Sequence, residues 1–247
     1  MESVLTCRGL TKIFRQPIVP AFLLQDRVLR WTMHREIRTI HALQDVSLDV
    51  REGEMIGFYG PNGSGKTTLL RILAGIMPPT KGYVTHKGHM SFFELGVGFH
   101  PERRADENIY LHGILRGMSA NEIRSRTDDI IDFAGVRSHA ELPLKCYSTG
   151  MQTRLAFAAA AQVESDIYLL DEVLAVGDYD FQQKCQAHFR SLKARGKTIL
   201  LVIHELWKLQ SLCDRIFYIE NGRIIAQEHI TRAQDGTFTS EKVAVGV

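Results

Sequence analysis

A nine-residue stretch, GPNGSGKTT at residues 60–68, constrains the fold of this chain more than any other feature. It satisfies the pattern G-x-x-x-x-G-K-S/T, in which glycines let the backbone turn back on itself with its N–H groups pointing inward. Such a loop lies between a strand and a helix N-terminus, where the helix dipole favours phosphate. MIGFY at 55–59 is typical of a buried parallel strand, and LLRILAGI at 69–76 has helical apolar spacing. The sequence therefore predicts a nucleoside triphosphate site on a strand–loop–helix unit.

The loop also predicts which groups contact the nucleotide. Lys66 can reach the β- and γ-phosphates as a point charge, and the Thr67 hydroxyl is placed to bind Mg²⁺, which prefers hard oxygen ligands. The other positions offer mainly backbone N–H groups. The predicted nucleotide-binding residues of the loop are Gly60, Pro61, Asn62, Gly63, Ser64, Gly65, Lys66, Thr67 and Thr68.

Two carboxylates follow a second buried strand. IYLLDE at 167–172 places Asp171 and Glu172 at its C-terminal end, where open parallel sheets bind their ligands. Asp171 can hold Mg²⁺, directly or through water, and Glu172 can act as general base on the attacking water, a role that contributes about 10²- to 10⁴-fold in rate. Taken alone, the two acids could be a solvated strand end, but the phosphate loop upstream favours the catalytic interpretation.

Composition and charge limit the class of protein. The chain has 247 residues, of which 45% are hydrophobic and 23% charged, and a net charge of +2, which fits one soluble α/β domain and gives no nucleic-acid signature. No segment approaches 18 consecutive apolar residues, and residues 1–10 lack the pattern of a secretion signal, so we expect a cytosolic protein. The four cysteines form no C-x-x-C pair and are expected to be free thiols.

The apolar runs predict a parallel sheet with helices on both faces. Strands are expected at residues 4–10, 43–50, 55–59, 83–87, 90–95, 166–170, 198–203 and 215–219. Helices are expected at residues 69–76, within a helical block at 107–161, and at 181–195 and 205–212. In the block, Ser119 and Glu122 predict a capping box, Gly135 predicts the stop of that helix, and Ser148 predicts the cap of another. A hairpin turn is expected at residues 221–222, and residues 231–247 give no assignment.

Residues 147–158, YSTGMQTRLAFA, complete a set with the phosphate loop and the acid strand. In this order and spacing the three motifs resemble the nucleotide-binding subunits of ABC transporters, over nearly the whole chain. The resemblance implies that Ser148, Thr149 and Gly150 begin a helix that caps the γ-phosphate of ATP held by a second copy, using a hydroxyl, N–H groups and the helix dipole. The first, third and fifth residues of YSTGM depart from the common Leu-Ser-Gly-Gly-Gln form.

The same resemblance implies three further site residues. His204 matches the switch histidine that contacts the γ-phosphate, and it joins Lys66 and Glu172 in the implied catalytic set. Asp178, at the end of LAVGD, matches the acid of a loop that crosses the dimer interface. Phe14 matches the aromatic residue that stacks on adenine, although a core phenylalanine is the alternative because an insertion follows it.

The resemblance also implies the architecture. It is an α/β fold, a P-loop ATPase of ABC type, with a mostly parallel core sheet, an antiparallel β-subdomain and a helical subdomain. The single domain is expected to divide into a core at about residues 1–93 and 163–228, a helical subdomain at about 94–162, an insertion at 17–42 and a C-terminal tail at 229–247.

One loop departs from most of the family. FFELGVGFHPE at 92–102 has no glutamine where most members carry one that senses the γ-phosphate, and Glu94 is the nearest polar candidate. A carboxylate cannot donate an amide hydrogen bond and would change the charge beside Mg²⁺, so Glu94 stays an open candidate for that position. This loop, with ENIYLHG at 107–113 and the YSTGM variant, resembles the subgroup that exports long polysaccharides such as O-antigen, capsule and teichoic acid precursors.

The insertion at 17–42 gives a second indication of a partner. Projected as a helix, it groups on one side the apolar residues Phe22, Leu29, Met33, Ile37 and Ile40. The basic side then carries Arg27, Arg30, His34 and Arg38. A basic amphipathic segment can lie on an anionic membrane surface or dock on a partner, and the alternative is a solvated loop folded over its own domain.

These inferences predict an ATPase subunit that uses ATP and Mg²⁺ and pairs head to tail with a second copy. It would act on integral membrane permease subunits at the cytoplasmic face of the inner membrane, with a glycan as the cargo of the permease and no nucleic-acid partner. The alternatives are the energising subunit of another ABC transporter and a soluble ATP-dependent switch acting on nucleic acid or ribosomes.

Overall fold

The computed structural model describes residues 2–17, 37–93, 95–171, 177–232 and 238–245. The strands of these residues are β1 (Ser3–Pro17), β2 (Ile37–Arg51), β3 (Met55–Tyr59), β4 (Lys81–His86), β5 (Met90–Phe93), β6 (Ile167–Asp171), β7 (Thr198–Val202), β8 (Arg215–Glu220), β9 (Arg223–Arg232) and β10 (Phe238–Ala244). The helices are α1 (Lys66–Leu73), α2 (Ala105–Leu115), α3 (Ala120–Ala134), α4 (Thr149–Ala161), α5 (Tyr179–Ala194) and α6 (Leu206–Leu212), with short 3₁₀ helices at Arg137–His139 and Leu144–Cys146.

A seven-stranded sheet with the order β10-β9-β8-β3-β7-β6-β5 forms the core. Strands β8, β3, β7, β6 and β5 are parallel to one another, and β9 and β10 add antiparallel strands at the β8 edge. Strands β3, β6 and β7 are almost entirely buried, as expected for a parallel sheet covered on both faces. The predicted α/β fold with a mostly parallel core sheet is confirmed.

Strand β7 shows how the two faces of this sheet are filled. Ile199 and Leu201 lie in one hydrophobic cluster with aromatic residues of α4 and α5, among them Phe157. Leu200 and Val202 lie in a second cluster, with apolar residues of α1 and of β1 and β2. Because successive side chains of a strand point to opposite faces, a continuous apolar run serves both layers.

A second, antiparallel sheet has the order β2-β1-β4. Its strands β1 and β2 pair from Ser3↔Arg51 to Pro17↔Ile37. Both strands are therefore much longer than the sequence predicted, and they form a two-stranded ribbon that extends toward residues 18–36.

The helix projected through the insertion is wrong at its C-terminal end. Ile37, Arg38 and Ile40 lie on β2, and a strand places residues i and i+3 on opposite faces rather than on one stripe. Pairing with β1 overrides the helical spacing of these apolar residues. The other residues of that projection, at positions 18–36, lie outside the described residues.

Helices α2, α3 and α4 follow β5 and precede β6 in the chain. They pack on one another around a third hydrophobic cluster. Ser119 Oγ accepts the N–H of Glu122 at 3.3 Å, which is the serine half of the predicted capping box, whereas the Glu122 carboxylate pairs with Arg126 at 3.0 Å. Gly135 ends α3 with φ 66°, and Ser148 caps α4 by accepting the N–H of Met151. The helix stop and both serine caps are confirmed.

A helix end and the C-terminal segment also differ from the prediction. Helix α1 ends at Leu73 rather than residue 76, because Gly75 takes a left-handed φ of 71°. Residues 231–247, which gave no assignment, contain β10 paired with β9. All residues of β10 are exposed, so this strand lacks the alternating burial that a sequence pattern can reveal.

A buried arginine joins the two sheets. Arg215, at the start of β8, donates to the Asp49 carbonyl on β2 at 2.5 Å, and its Nε lies 3.2 Å from a carboxylate oxygen of Glu54. Both side chains of the ion pair are at most 10% exposed. Burial lowers the pKa of Arg215, and the Glu54 charge opposes that shift. Each side chain therefore compensates the charge of the other, since either charge buried alone would destabilise the fold.

We expect Glu54→Ala to lower the free energy of unfolding by about 3 kcal/mol, because it leaves the Arg215 guanidinium buried without its counter-charge. Urea denaturation of the purified chain measures this. Glu164→Ala, which removes a half-exposed partner of Arg195, is the matched control and should change stability far less. Equal losses in the two variants would contradict a buried-charge role for Glu54.

Candidate functional site

The loop at residues 60–65 joins β3 to α1 in the conformation that a phosphate site requires. Gly63 and Gly65 have φ values of 78° and 105°, which side-chain-bearing residues rarely adopt. A Cβ on Gly60 would lie 2.0 Å from the Ile219 carbonyl oxygen, and one on Gly65 would lie 2.4 Å from that of Ala42. Backbone conformation and close packing together therefore require glycine here.

Two side chains of this unit are buried without being apolar. Lys66 is 5% exposed, and its Nζ donates to the carbonyls of Gly60 and Pro61, each at 2.8 Å. Ser64 Oγ is buried, and it has no hydrogen-bond partner in the part of the chain that the structure describes. A buried hydroxyl without a partner is unfavourable, and Ser64 is not among the described residues that line the neighbouring cavity.

Thr67 and Asp171 bring the loop and the acid strand together. Thr67 Oγ1 donates to Asp171 Oδ1 at 3.2 Å, across α1 and β6. Among the described residues no group of three or more His, Cys, Asp or Glu could hold a metal. A hydroxyl and a carboxylate nevertheless fit Mg²⁺, which takes few protein ligands and completes its shell with phosphate oxygens and water.

Lys66 and Thr67 line a cavity of about 410 Å³. Its lining joins the phosphate loop and the start of α1 to two other parts of the chain, one of them the exposed His204 just after β7. The lining residues are Ile40, His41, Ala42, Asn62, Gly63, Gly65, Lys66, Thr67, Thr68 and His204. The predicted switch histidine therefore shares a cavity with the predicted phosphate-binding residues.

Sequence reasoning missed Ile40, His41 and Ala42, which form one wall of this cavity. They lie on β2, where pairing with β1 carries them to the phosphate loop. No local pattern could have found them, because their role depends on where the ribbon crosses the core sheet.

Phe14, the predicted adenine contact, lies on β1 opposite Ile40. Its ring is half-buried, with Lys12 Nζ 5.3 Å from the ring centroid. Ile40 lines the cavity and Phe14 is not among the lining residues of the described chain. Phe14 is thus one strand away from the cavity wall, and its contact with a base stays a prediction.

The predicted γ-phosphate cap lies elsewhere on the surface. Ser148, Thr149 and Gly150 are exposed at the N-terminus of α4, and among the described residues none of them lines the cavity. Gln152 Nε2 donates to the carbonyls of Leu144 and Tyr147 at 3.1 and 3.2 Å, which fixes the approach to this helix. The helix N-terminus is thus exposed and held in place.

Asp178 caps α5 by accepting the N–H of Phe181 at 2.9 Å. Its other carboxylate oxygen lies 3.5 Å from Arg154 on α4, so it also links α5 to the helix that begins after Ser148. Its predicted contact across an interface stays a prediction. Glu172 and Glu94 lie outside the described residues.

Two buried polar residues of α2, Asn108 and His112, contact the loop at residues 92–102. Asn108 on α2 accepts the N–H of His100 at 2.6 Å and donates to the carbonyls of His100, Arg103 and Arg104. On the next turn His112 Nδ1 lies 3.0 Å from the Val97 carbonyl, and burial lowers the pKa of His112. These residues attach the loop to α2, and nothing in the sequence marked them.

Comparison with known proteins gives a family match over more than half of the chain. A family model described as ABC transporter matches residues 43–175. The O-antigen export system ATP-binding protein RfbB of Klebsiella pneumoniae is 46% identical over 184 residues, covering 74% of this chain and 75% of that protein. The ABC transporter protein AbcA of Aeromonas salmonicida is 41% identical over 229 residues, covering 92% of this chain and 73% of that protein.

Two further matches concern a longer relative and a solved structure. The teichoic acids export ATP-binding protein TagH of Listeria innocua serovar 6a is 40% identical over 190 residues, covering 77% of this chain and 57% of that protein. The dimeric ATP-binding cassette MJ0796, in a post-hydrolysis state bound to ADP and Pi, superposes with a TM-score of 0.72 at 26% identity, covering 91% of this chain and 98% of that one.

We expect Lys66→Ala to weaken ATP binding by about 10- to 100-fold, the loss of one charge-assisted contact with phosphate. Equilibrium titration with a fluorescent ATP analogue measures the change. Lys81→Ala, on the exposed strand β4, is the control and should bind as the wild type does. Unchanged affinity in Lys66→Ala would contradict the phosphate-loop assignment.

Proposed function

The chain belongs to the ABC transporter family and is an ABC-type ATPase, and we propose that it energises the export of a polysaccharide or lipid-linked glycan through a membrane permease. The observation that carries the proposal is the cavity that joins Lys66, Thr67 and His204, with Asp171 bonded to Thr67. Among the described residues no helix is long and apolar enough to cross a membrane.

ATP would lie with its phosphates against the loop at residues 60–68. Thr67 and Asp171 would hold Mg²⁺, which neutralises charge on the transferred phosphoryl group when bound. Glu172 follows Asp171 directly in sequence and would take the proton of the attacking water. His204 would contact the γ-phosphate from the end of the neighbouring strand β7. Ile40 and His41 would form the wall on the ribose and base side.

The exposed start of α4 supports a site shared between two copies. Its N–H groups and the Ser148 hydroxyl can bind an anion, but they belong to a different surface from the cavity in the same chain. Head-to-tail pairing would bring Ser148, Thr149 and Gly150 of one copy to the ATP of the other, with Asp178 at the interface. The dimeric cassette MJ0796, at 26% identity, favours the pairing of two copies.

A surface on α2 supports a membrane partner. Tyr110, Leu111, Ile114 and Leu115 are exposed on this helix, and their spacing places them along one side of it. Exposed apolar stripes of this kind mark contact sites for other proteins. We assign this surface to the permease, which would hold the chain peripherally at the cytoplasmic face of the inner membrane.

The glycan cargo rests on the relatives. The two most informative names are an O-antigen export ATP-binding protein and a teichoic acids export ATP-binding protein, at 46% and 40% identity. Both names are of export systems, and the loop at residues 92–102 resembles the same polysaccharide-exporting subgroup.

Mixing two inactive variants tests the shared site. Lys66→Ala and Ser148→Arg should each abolish hydrolysis, but a mixed dimer retains one intact site, formed by Lys66 of one copy and Ser148 of the other. We expect mixing to restore about a quarter of the wild-type rate at most, since half of the dimers are mixed and each holds one intact site.

The matched control mixes Lys66→Ala with Asp171→Asn. Both changes damage the same half of the site, so every mixed dimer carries two defective sites and no activity should return. Absence of recovery in the first mixture, or equal recovery in both, would contradict a site built from two copies.

Replacing the chain in its own cells by Glu172→Gln tests the cargo and the partner. We expect surface glycan to be lost and glycan to accumulate inside the cell, because hydrolysis is blocked while ATP binding persists. The variant should also copurify with an integral membrane protein in detergent. Unchanged surface glycan would favour another transported substrate, and absence of a membrane protein would favour a soluble switch.

A second pair of variants tests the α2 surface in the same copurification. Leu115→Lys should keep the ATPase activity of the isolated chain and lose the membrane protein. Leu142→Lys changes an exposed leucine outside α2 and should retain it. Loss in both variants would show a general effect of added charge and would contradict the assignment of α2.

A further inference from the structure

We propose that the hairpin turn at Asn221-Gly222, between β8 and β9, is a positioning element of the phosphate loop and acts together with Ala42 and Gln44 of β2. The inference rests on the proposed binding of ATP at that loop. Asn221 and Gly222 lie more than 150 positions after the loop in sequence, and Ala42 and Gln44 precede it. The phosphate-binding motif includes none of these residues.

Backbone hydrogen bonds connect the three segments. The Gly222 N–H donates to the Ser64 carbonyl at 3.0 Å, and the Gly222 carbonyl accepts the Gln44 N–H at 2.8 Å. Gly222 thus bonds the phosphate loop through its N–H group and β2 through its carbonyl group. Inside the loop, Ser64 N–H donates to the Pro61 carbonyl at 3.2 Å.

Steric contact makes this junction tight. A Cβ on Gly222 would lie 2.7 Å from the Ala42 carbonyl oxygen, and a Cβ on Gly65 would lie 2.4 Å from the same atom. Ala42 is therefore wedged between the turn and the phosphate loop. The preceding strand makes a similar contact, because the Ile219 carbonyl lies where a Cβ of Gly60 would be. Both ends of the loop are set by backbone from outside it.

The turn itself is held in one conformation. Asn221 and Gly222 have φ values of 48° and 74°, the two positive angles of a type I′ hairpin. The Gln44 side chain donates to the Asn221 carbonyl at 2.8 Å and accepts from Arg223 at 3.3 Å. The hairpin, β2 and the loop thus form a fixed support for the N–H groups that face phosphate.

This support has a functional consequence. Oxygen atoms of a phosphate are recognised by several N–H groups at once, so a small displacement of the loop weakens every contact together. A shift of the turn at Gly222 would move Ser64 and Ala42, and Ala42 also lines the cavity. We therefore place Gln44, Asn221 and Gly222 in a positioning role, because none of them is among the described residues that line the cavity.

The test compares Gly222→Ala with Gly196→Ala. Both glycines have a φ near 75°, so both substitutions impose backbone strain, but a Cβ on Gly196 meets no atom within 4 Å. Equilibrium titration with a fluorescent ATP analogue is done at a temperature where melting curves show both variants folded. We expect Gly222→Ala to raise the Kd about fivefold or more and Gly196→Ala to leave it within about twofold, with the KM for ATP following the Kd. Equal affinities would overturn the proposal.

If Gly222→Ala does not fold, Gln44→Ala removes only the side-chain contacts with the turn. It should raise the Kd about twofold to threefold, while Gln227→Ala on β9 should not, and an unchanged Kd in Gln44→Ala would overturn the positioning role. A wild-type chain that fails to bind the ATP analogue would instead refute the proposed function, so the two failures are distinguishable.

Discussion

The close approach of backbone to backbone around the phosphate loop is the contact on which the rest of the site depends. Gly60 and Gly65 leave no room for a side chain, since carbonyls of Ile219 and Ala42 occupy that space. The loop can then turn its N–H groups into one cavity, and Lys66 can stay buried against loop carbonyls. A charge and several donors are thus fixed before any ligand arrives, and little reorganisation is needed on binding.

The fold supplies the remaining groups through strand ends. Parallel strands β6 and β7 end side by side, with Asp171 opposite Val202, which brings the acid strand and His204 to one edge of the sheet. The buried Arg215 ties this sheet to the antiparallel one, whose β2 gives the cavity its outer wall. Strand β2 therefore takes part both in the contact with Arg215 and in the wall of the cavity. The helix start at Ser148 lies on another surface, which fits an enzyme that completes its site by pairing.

Much of the fold was predictable because the patterns are local. Buried parallel strands such as β3, β6 and β7 are short apolar runs, and glycines or serines at helix ends fix the dihedral angles and caps there. The prediction was wrong where long-range pairing competed with a local pattern. Helical spacing at residues 37–40 gave way to pairing of β2 with β1, and β10 forms an exposed edge strand that no apolar alternation marks.

The sequence by itself determined the phosphate loop, the strand that ends in Asp171 and the family to which the chain belongs, because each is a short run whose chemistry depends on neighbouring residues. Only the tertiary structure decided that Ile40 and His41 form a wall of the cavity and that Gly222 bonds Ser64 and packs against Ala42. These contacts join residues far apart along the chain. Their formation depends on how the two sheets pack, and a local sequence pattern does not show which distant residues will come into contact.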